Sequence, residues 1–176
     1  GVGQAGNIEI SADSLSLSNG ALLSAVTLGE GNAGNIVLNV QRDINISGII
    51  SGKETGVFAK TDPGSIGNGG NIAIDSKTLT LMGGARIAVD SQGNGQGGNI
   101  QLQSGSLSLD NNASISAKTT SNNGGNINLK LDDLLTLRRN SEISTTAGTA
   151  QTLGDGGNIT IDTPFIVAFP SENSDI

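Results

Sequence analysis

The sequence predicts an all-β fold, a right-handed parallel β-helix wound as a three-sided solenoid. Three observations support this prediction. A glycine–asparagine–aliphatic string recurs along the chain, aliphatic and polar residues alternate at period two, and the apolar residues are almost all aliphatic. The 176 residues include 27 glycines, 3 prolines and only 2% aromatic residues. Aliphatic side chains without large rings suit a core of repeating layers, because rings usually fill irregular spaces.

The repeat is visible as six copies of one string: "AGNIEI", "AGNIVL", "GGNIAI", "GGNIQL", "GGNINL" and "GGNITI". Successive copies lie 27 to 36 residues apart, which indicates a unit with a fixed core and one loop of variable length. We predict one coil per unit and a single β-helix section over residues 1–176 of a longer protein. The coils start near Asn7, Asn35, Asn71, Asn99, Asn126 and Asn158, and the sixth is partial.

Each unit carries three alternating pairs of apolar residues, and alternation at period two is the pattern of a strand with one buried face. The first residues of the first pair form a predicted core column of Ile8, Ile36, Ile72, Ile100, Ile127 and Ile159. The second pairs are Leu15/Leu17, Ile44/Ile46, Leu79/Leu81, Leu107/Leu109 and Leu135/Leu137. The third patches are Leu23/Ala25, Ile87/Val89, Ile115/Ala117 and Ile143/Thr145.

These pairs predict three short strands per unit, separated by turns. An isolated pair of strands buries too little surface to be stable, so the units must stack. Each strand then pairs in parallel with its equivalent in the next coil, about 4.8 Å along the axis. The usual handedness of parallel crossovers predicts right-handed winding. An antiparallel sandwich gives no reason for three strands in one repeated order, and a leucine-rich repeat needs a helical segment in each unit.

The repeat has irregularities. The second unit is shortened between Ile46 and Ile50 and then carries a predicted insertion, "KETGVFAKTDPGSIGNGG". The fifth unit has one extra residue before Leu135. The other length changes fall in the loops that precede Gly-Asn, so we expect all long loops at one corner of the solenoid, where insertions are tolerated.

The Gly-Asn doublet predicts a structural role. Glycine permits a positive φ where the loop re-enters the strand. Asparagine side chains at equivalent turns can stack as a ladder, which we place at Asn7, Asn35, Asn71, Asn99, Asn126 and Asn158. A phosphate cradle would need a following helix and a lysine. The glycine-rich loops near Gly95 and Asp155 are similar to a calcium-binding repeat, but only one of them carries an aspartate, so calcium is the less favoured reading.

Reactive residues are scarce. The chain has no histidine and no cysteine, and its three aromatic residues are Phe58, Phe165 and Phe169. Two charged pairs flank one predicted strand, Asp132/Asp133 before it and Arg138/Arg139 after it, at an expected separation of roughly 17 Å. Groups so far apart do not converge on a substrate, so we predict that the chain is not an enzyme and that it has no catalytic residues and no cofactor. An ice-binding face would need regular outward rows of Thr-X-Thr, and only "TLTL" at 78–81 resembles one, so an ice-binding role is not predicted.

Charge and hydropathy limit the partners. With 16 acidic and 9 basic residues the net charge is −7, which disfavours nucleic acid. No apolar run reaches the ~20 residues that span a bilayer, so no transmembrane segment is predicted. The chain opens within the repeat pattern at "GVGQAGNIEI", so a leader would belong to a longer parent. No polar cap is expected at Gly1 or Ile176, which predicts unpaired strand edges at both ends.

The repeated "GGNI-x-[IL]" string with its "L-x-L" and "I-x-A" patches resembles the shaft of filamentous haemagglutinin-like exoproteins of two-partner secretion systems. The tail "GDGGNITIDTPFIVAFPSENSDI" is similar to the carboxy-terminal repeats of cyanobacterial members, and the resemblance covers essentially all 176 residues. It implies a large protein that a dedicated outer-membrane transporter exports from a Gram-negative, cyanobacterial-type bacterium. Such a protein folds outside as a β-helical fibre that serves adhesion, aggregation or surface coating.

We therefore expect a non-enzymatic structural shaft of a secreted or cell-surface fibre. A first alternative is a filament that assembles head to tail from separate chains. A second is a polysaccharide-binding or polysaccharide-cleaving β-helix, with glycans or cell surfaces as partners of the variable corner loops.

Overall fold

The computed structural model describes residues 3–49, 52–148 and 154–176, which wind as a β-solenoid of about six turns with about 28 residues per turn. All strand pairs among them are parallel. The strands are β1 (Ile8–Ala12), β2 (Leu15–Ser18), β3 (Leu22–Ser24), β4 (Ile36–Val40), β5 (Asp43–Ser47), β6 (Gly56–Phe58), β7 (Ile72–Met82), β8 (Arg86–Ala88), β9 (Ile100–Asp110), β10 (Ser114–Ser116), β11 (Ile127–Leu137), β12 (Glu142–Ser144), β13 (Ile159–Asp162) and β14 (Phe165–Ala168).

The predicted core column is confirmed by the strand register. Each member pairs with its equivalent in the next coil, in the order Ile8, Ile36, Ile72, Ile100, Ile127 and Ile159. The four central isoleucines are fully buried, whereas Ile8 and Ile159 in the end coils are half-buried because each has a neighbouring coil on one side only. Successive Gly-Asn units therefore each make one turn about a common axis.

The solenoid has three sides formed by two sheets. A nine-stranded sheet contains β1, β4, β7, β9, β11 and β13 on the first side and continues around a corner through β2, β5 and β14 on the second. The third side is a five-stranded sheet in the order β12-β10-β8-β6-β3. The inward residues of all three sides pack into one core, as the alternation predicted.

The predicted turn between the first and second sides is wrong for the three central coils. There the two strands merge into the single eleven-residue strands β7, β9 and β11. The corner is filled by inward residues with small or aliphatic side chains. Ser76 and Ser104 are both buried, and their hydroxyls lie 3.2 Å apart, so they satisfy each other inside the bend. The three strands can then turn the corner without a separate loop, although the pairing of β7 with β9 skips one residue pair there and the register of β11 shifts at a bulge.

The predicted insertion in the second coil also needs correction. Part of "KETGVFAK" forms β6, and Val57 lies in register between Leu23 and Ile87 as a member of the core. Phe58 faces outward on the same strand but is only 2% exposed. The additional residue of the fifth coil is confirmed as a bulge, because the register shifts between Leu131 and Leu134.

The last residues continue the third side into the sixth coil. A short 3₁₀ helix, Pro170–Glu172, is followed by a parallel bridge between Glu142 and Asp175. The Ile143 amide donates to the Asp175 carbonyl at 3.0 Å. Strands β13 and β14 of the first two sides remain edge strands, each paired on one side only to β11.

Residues 170–176, here called the tail, are held by an ion pair between Glu172 and Arg138. The guanidinium of Arg138 binds the carboxylate of Glu172 through two hydrogen bonds of 2.6 and 2.7 Å, and the Arg139 amide donates to the same group at 3.0 Å. These contacts, the hydrogen bonds from Arg138 above all, lower the pKa of Glu172 from 4.5 to about 2. The tail is therefore anchored by a charged carboxylate.

This anchor predicts a pH dependence for the tail. Because the pKa of Glu172 is lower in the docked state, its contribution is complete above 4.5 and is lost as the pH falls through about 2. We expect amide hydrogen exchange of residues 172–176 to stay protected to about pH 3 and to rise below it. In an Arg138→Gln chain the tail should be released closer to pH 4.5. Release at one common pH in both chains, judged against the amides of β9, would contradict the prediction.

Within the described residues, no helix is long and apolar enough to cross a membrane.

Candidate functional site

The asparagine ladder predicted from sequence is present in the structure. The Oδ1 of each of the first five ladder asparagines accepts a hydrogen bond from the backbone N–H of the next one, at 2.8 to 3.0 Å. In the central coils the same oxygen also accepts from the Nδ2 of the next asparagine at 3.2 Å. The side chains are exposed to solvent, so the ladder runs along the surface as Asn7, Asn35, Asn71, Asn99, Asn126 and Asn158.

One consequence of the ladder can be measured by removing a single amide. Asn99→Ala is expected to cost about 1–2 kcal/mol in the free energy of unfolding, because the backbone N–H of Asn126 loses its acceptor at 3.0 Å. Urea denaturation followed by circular dichroism measures this cost. Asn128→Ala is the matched control, since Asn128 is an exposed outward residue of β11. Equal stabilities of the two variants would show that the ladder contributes nothing.

The glycine before each ladder asparagine has a different role from the one predicted. Gly98 and its equivalents are not among the positive-φ glycines of the described residues. A Cβ built on Gly98 would lie 1.9 Å from the carbonyl oxygen of Gly70 in the preceding coil, and one on Gly70 would lie 2.0 Å from that of Gly34. The glycines are required because successive coils approach too closely at this position to admit a side chain.

A second amide column, which sequence reasoning missed, lies three residues before the ladder. Its members are Gln4, Asn32, Asn68, Gln96, Asn123 and Asp155. Asn32 and Asn68 each accept a hydrogen bond at 2.8 Å from the backbone N–H of the next member. The signal was present in the sequence as an amide or acidic residue at the same offset in every unit. It was obscured because the residue type changes from copy to copy.

The two columns enclose a surface groove, here called the corner groove. Its walls are the asparagine ladder and the second amide column, and its floor is made of the alanines and glycines between them. The groove has a volume of about 410 Å³. Across coils one to four its lining is Gln4, Ala5, Asn7, Asn32, Ala33, Asn35, Asn68, Gly69, Gly70, Asn71, Gln96, Gly97, Gly98 and Asn99.

The loops beside the groove are also stacked from coil to coil. Parallel bridges connect Thr27, Thr61, Ser91 and Thr119 in four successive coils. The hydroxyls of Thr61 and Ser91 lie 3.1 Å apart and are buried. The loops at this corner vary in length, as predicted. The column of bridged threonine and serine residues beside the groove floor nevertheless stays regular.

Charged residues on the third side connect four consecutive coils. Arg86 lies 2.6 Å from Glu54 of the preceding coil and 3.6 Å from Asp90 of its own. Asp90 accepts the backbone N–H of Lys118 at 2.8 Å, and the Lys118 ammonium lies 3.0 Å from Glu142. These contacts fasten four consecutive coils together.

The arginines of the two predicted charged pairs bind other acids. Arg138 binds Glu172 in the tail, and Arg139 binds Asp110 in the preceding coil. Hydrogen bonding to Arg139 lowers the pKa of Asp110 below its ordinary value. Asp132 and Asp133 occupy the bulge of β11. The structure does not bring these acids together with the arginines.

The remaining candidates from sequence are spread over the molecule. Among the described residues, which include Asp155 and the loop at Gly95, no group of three or more histidine, cysteine, aspartate or glutamate side chains comes together. Phe58 is buried under the Lys60 ammonium, 4.7 Å from its ring centre. Phe165 and Phe169 lie in the exposed sixth coil. No aromatic residue lines the corner groove.

Comparison with protein-family models, with curated proteins and with solved structures gives no match.

Proposed function

We propose that the chain is a section of a non-enzymatic structural shaft that holds a secreted or cell-surface fibre extended. The observation that carries this proposal is the unbroken register of the core column through six coils. At about 4.8 Å per coil, six coils extend roughly 29 Å along the axis. A longer parent with the same repeat would extend in proportion to its coil number.

The inter-coil contacts suit a load along the axis. Backbone ladders on three sides, the asparagine ladder and the charged network of the third side all run between neighbouring coils. A force that pulls the two ends apart would act at the same time on all the hydrogen bonds between two neighbouring coils, because each coil contacts only its neighbours. A repeating, loop-tolerant rod of this kind supports adhesion, aggregation or surface coating by keeping other parts of a protein away from the cell.

We propose export of the parent through an outer-membrane transporter of a two-partner system, in a Gram-negative bacterium. The chain has no cysteine, so its folding needs no oxidising enzyme outside the cell. A solenoid also folds by adding one coil to the preceding one, which suits a chain that emerges progressively. The resemblance of the repeats to filamentous haemagglutinin-like shafts supports the same route.

Electron microscopy of the parent protein tests the shaft. We expect rods whose length increases with the number of Gly-Asn units, in both the native protein and a variant lengthened by a duplicated coil pair. Residues 71–125 provide two such coils in uninterrupted register. A globular particle, or a duplication that leaves the length unchanged, would overturn the proposal.

The edge strands favour a second candidate, a filament of chains stacked head to tail. Strands β13 and β14 each pair on one side only, and Phe165, Ile166 and Val167 on β14 are exposed. Light scattering over a range of concentrations separates the candidates. Growth that Phe165→Lys suppresses supports stacking, and a constant monomer mass at all concentrations overturns it.

A further inference from the structure

The corner groove has the chemistry of a binding site for a linear ligand. We propose that it binds a neutral polysaccharide chain that lies parallel to the solenoid axis. The glycine floor alone would not make a site. The proposal depends on the two rows of amide side chains that stand on either side of the floor and repeat once per coil. It is independent of the shaft role, because a rod can be extended whether or not it binds a glycan.

Both walls carry N–H donors that the fold does not use. An asparagine amide has two N–H groups. At Asn71, Asn99 and Asn126 one of them bonds to the preceding Oδ1, and within the described part of the chain the other has no protein partner. The second amide column is still less engaged. The side-chain amides of Gln4 and Gln96 make no hydrogen bond to any described residue. Each coil therefore offers donors on both walls.

The spacing of these donors selects the class of ligand. Equivalent amides recur at the coil repeat of about 4.8 Å. A pyranose ring in an extended β-1,4-linked chain advances over about the same distance, and because neighbouring rings are turned over, every second ring can meet equivalent amides two coils apart. An extended peptide advances only about 3.3 Å per residue and falls out of step within a few coils. The regular repeat thus favours a sugar chain over a peptide.

Charge and composition predict the kind of binding. The groove lining contains no charged side chain across coils one to four, and the protein carries a net charge of −7, which disfavours anionic polymers. No aromatic residue is present to stack on a sugar face. Each coil therefore contributes little, and affinity must come from many equivalent contacts along one chain. We expect binding that strengthens with ligand length.

Titration of the chain with cello-oligosaccharides of two to six glucose units, followed by NMR, tests the proposal. We expect the side-chain amide resonances of Asn71 and Asn99 to shift. The dissociation constant of the hexamer should be at least about tenfold lower than that of the dimer. Two further probes, oligogalacturonates and Gly-Ser peptides of the same lengths, should bind more weakly. An absence of shifts, no dependence on length, or tighter binding of either further probe overturns the proposal.

A pair of double variants tests the location. Gln4→Leu with Gln96→Leu removes two amides from the wall without removing a ladder hydrogen bond, and should weaken hexamer binding about three- to tenfold. Gln101→Leu with Gln103→Leu makes the same chemical change at exposed positions of β9 on the first side and should leave binding unchanged. Equal loss in both pairs overturns the assignment to the groove. If a variant fails to fold, the wild-type resonance shifts decide.

Discussion

Gly98→Ala is expected to lower the free energy of unfolding by about 3 kcal/mol or more. The added Cβ would lie 1.9 Å from the carbonyl oxygen of Gly70, far inside van der Waals contact. Neither group can move away easily. Gly98 donates its own N–H to the Val89 carbonyl at 3.0 Å, and the Gly70 amide donates to the Ala59 carbonyl at 2.8 Å. Relieving the overlap therefore requires two coils to separate.

The first coil provides the matched control for this substitution. Gly6 occupies the same position before its ladder asparagine, yet a Cβ there would meet nothing within 4 Å. Gly6→Ala should change the stability by less than about 0.5 kcal/mol. Urea denaturation followed by far-ultraviolet circular dichroism measures both. If the two alanine variants had equal stability, the cause would be local to the loop, and the close stacking of coils would not explain the glycines.

This contrast shows why the winding could be predicted and the reason for the glycines could not. The core column follows from alternation within a strand together with the recurrence of that strand in six units, and the sequence displays both. The glycine contact joins residues 28 positions apart, such as Gly70 and Gly98, and no property of a single unit reveals it. Within one unit, a recurring glycine therefore predicts a positive φ, because the contact with the neighbouring coil is not visible there.

Other differences have the same long-range origin. The length of the second unit predicts an insertion where β6 lies, and only the pairing of Val57 with Leu23 and Ile87 identifies this segment as part of the core. The tail bridges to the fifth coil through Arg138 and Glu172, which are 34 residues apart. The corner groove can be predicted only when both amide columns are recognised together. The core column and the asparagine ladder were predictable because one residue type recurs at the same place in every unit, whereas contacts between unlike residues of different coils were not.

The second large effect is expected in the core column. Ile100→Ala should cost about 3 kcal/mol, because Ile100 is fully buried between Ile72 and Ile127 and the vacated space is enclosed by a coil on each side. Ile8→Ala removes the same atoms from a half-buried position that has a coil on one side only. Its cost should be nearer 1 kcal/mol. Chemical denaturation of the two variants measures the difference.

The position of the cavity left by Ile100→Ala also predicts which strands lose protection from hydrogen exchange. Because each coil contacts only its neighbours, a defect in the fourth coil weakens the interfaces with the third and the fifth. Hydrogen exchange in Ile100→Ala should increase in β7, β9 and β11 together, while β1 and β4 lose less protection. In Ile8→Ala the increase should be confined to β1 and β4. A uniform increase over all coils in both variants would mean that the chain unfolds as one globular unit. Stacked coils that depend on their immediate neighbours predict the graded pattern instead.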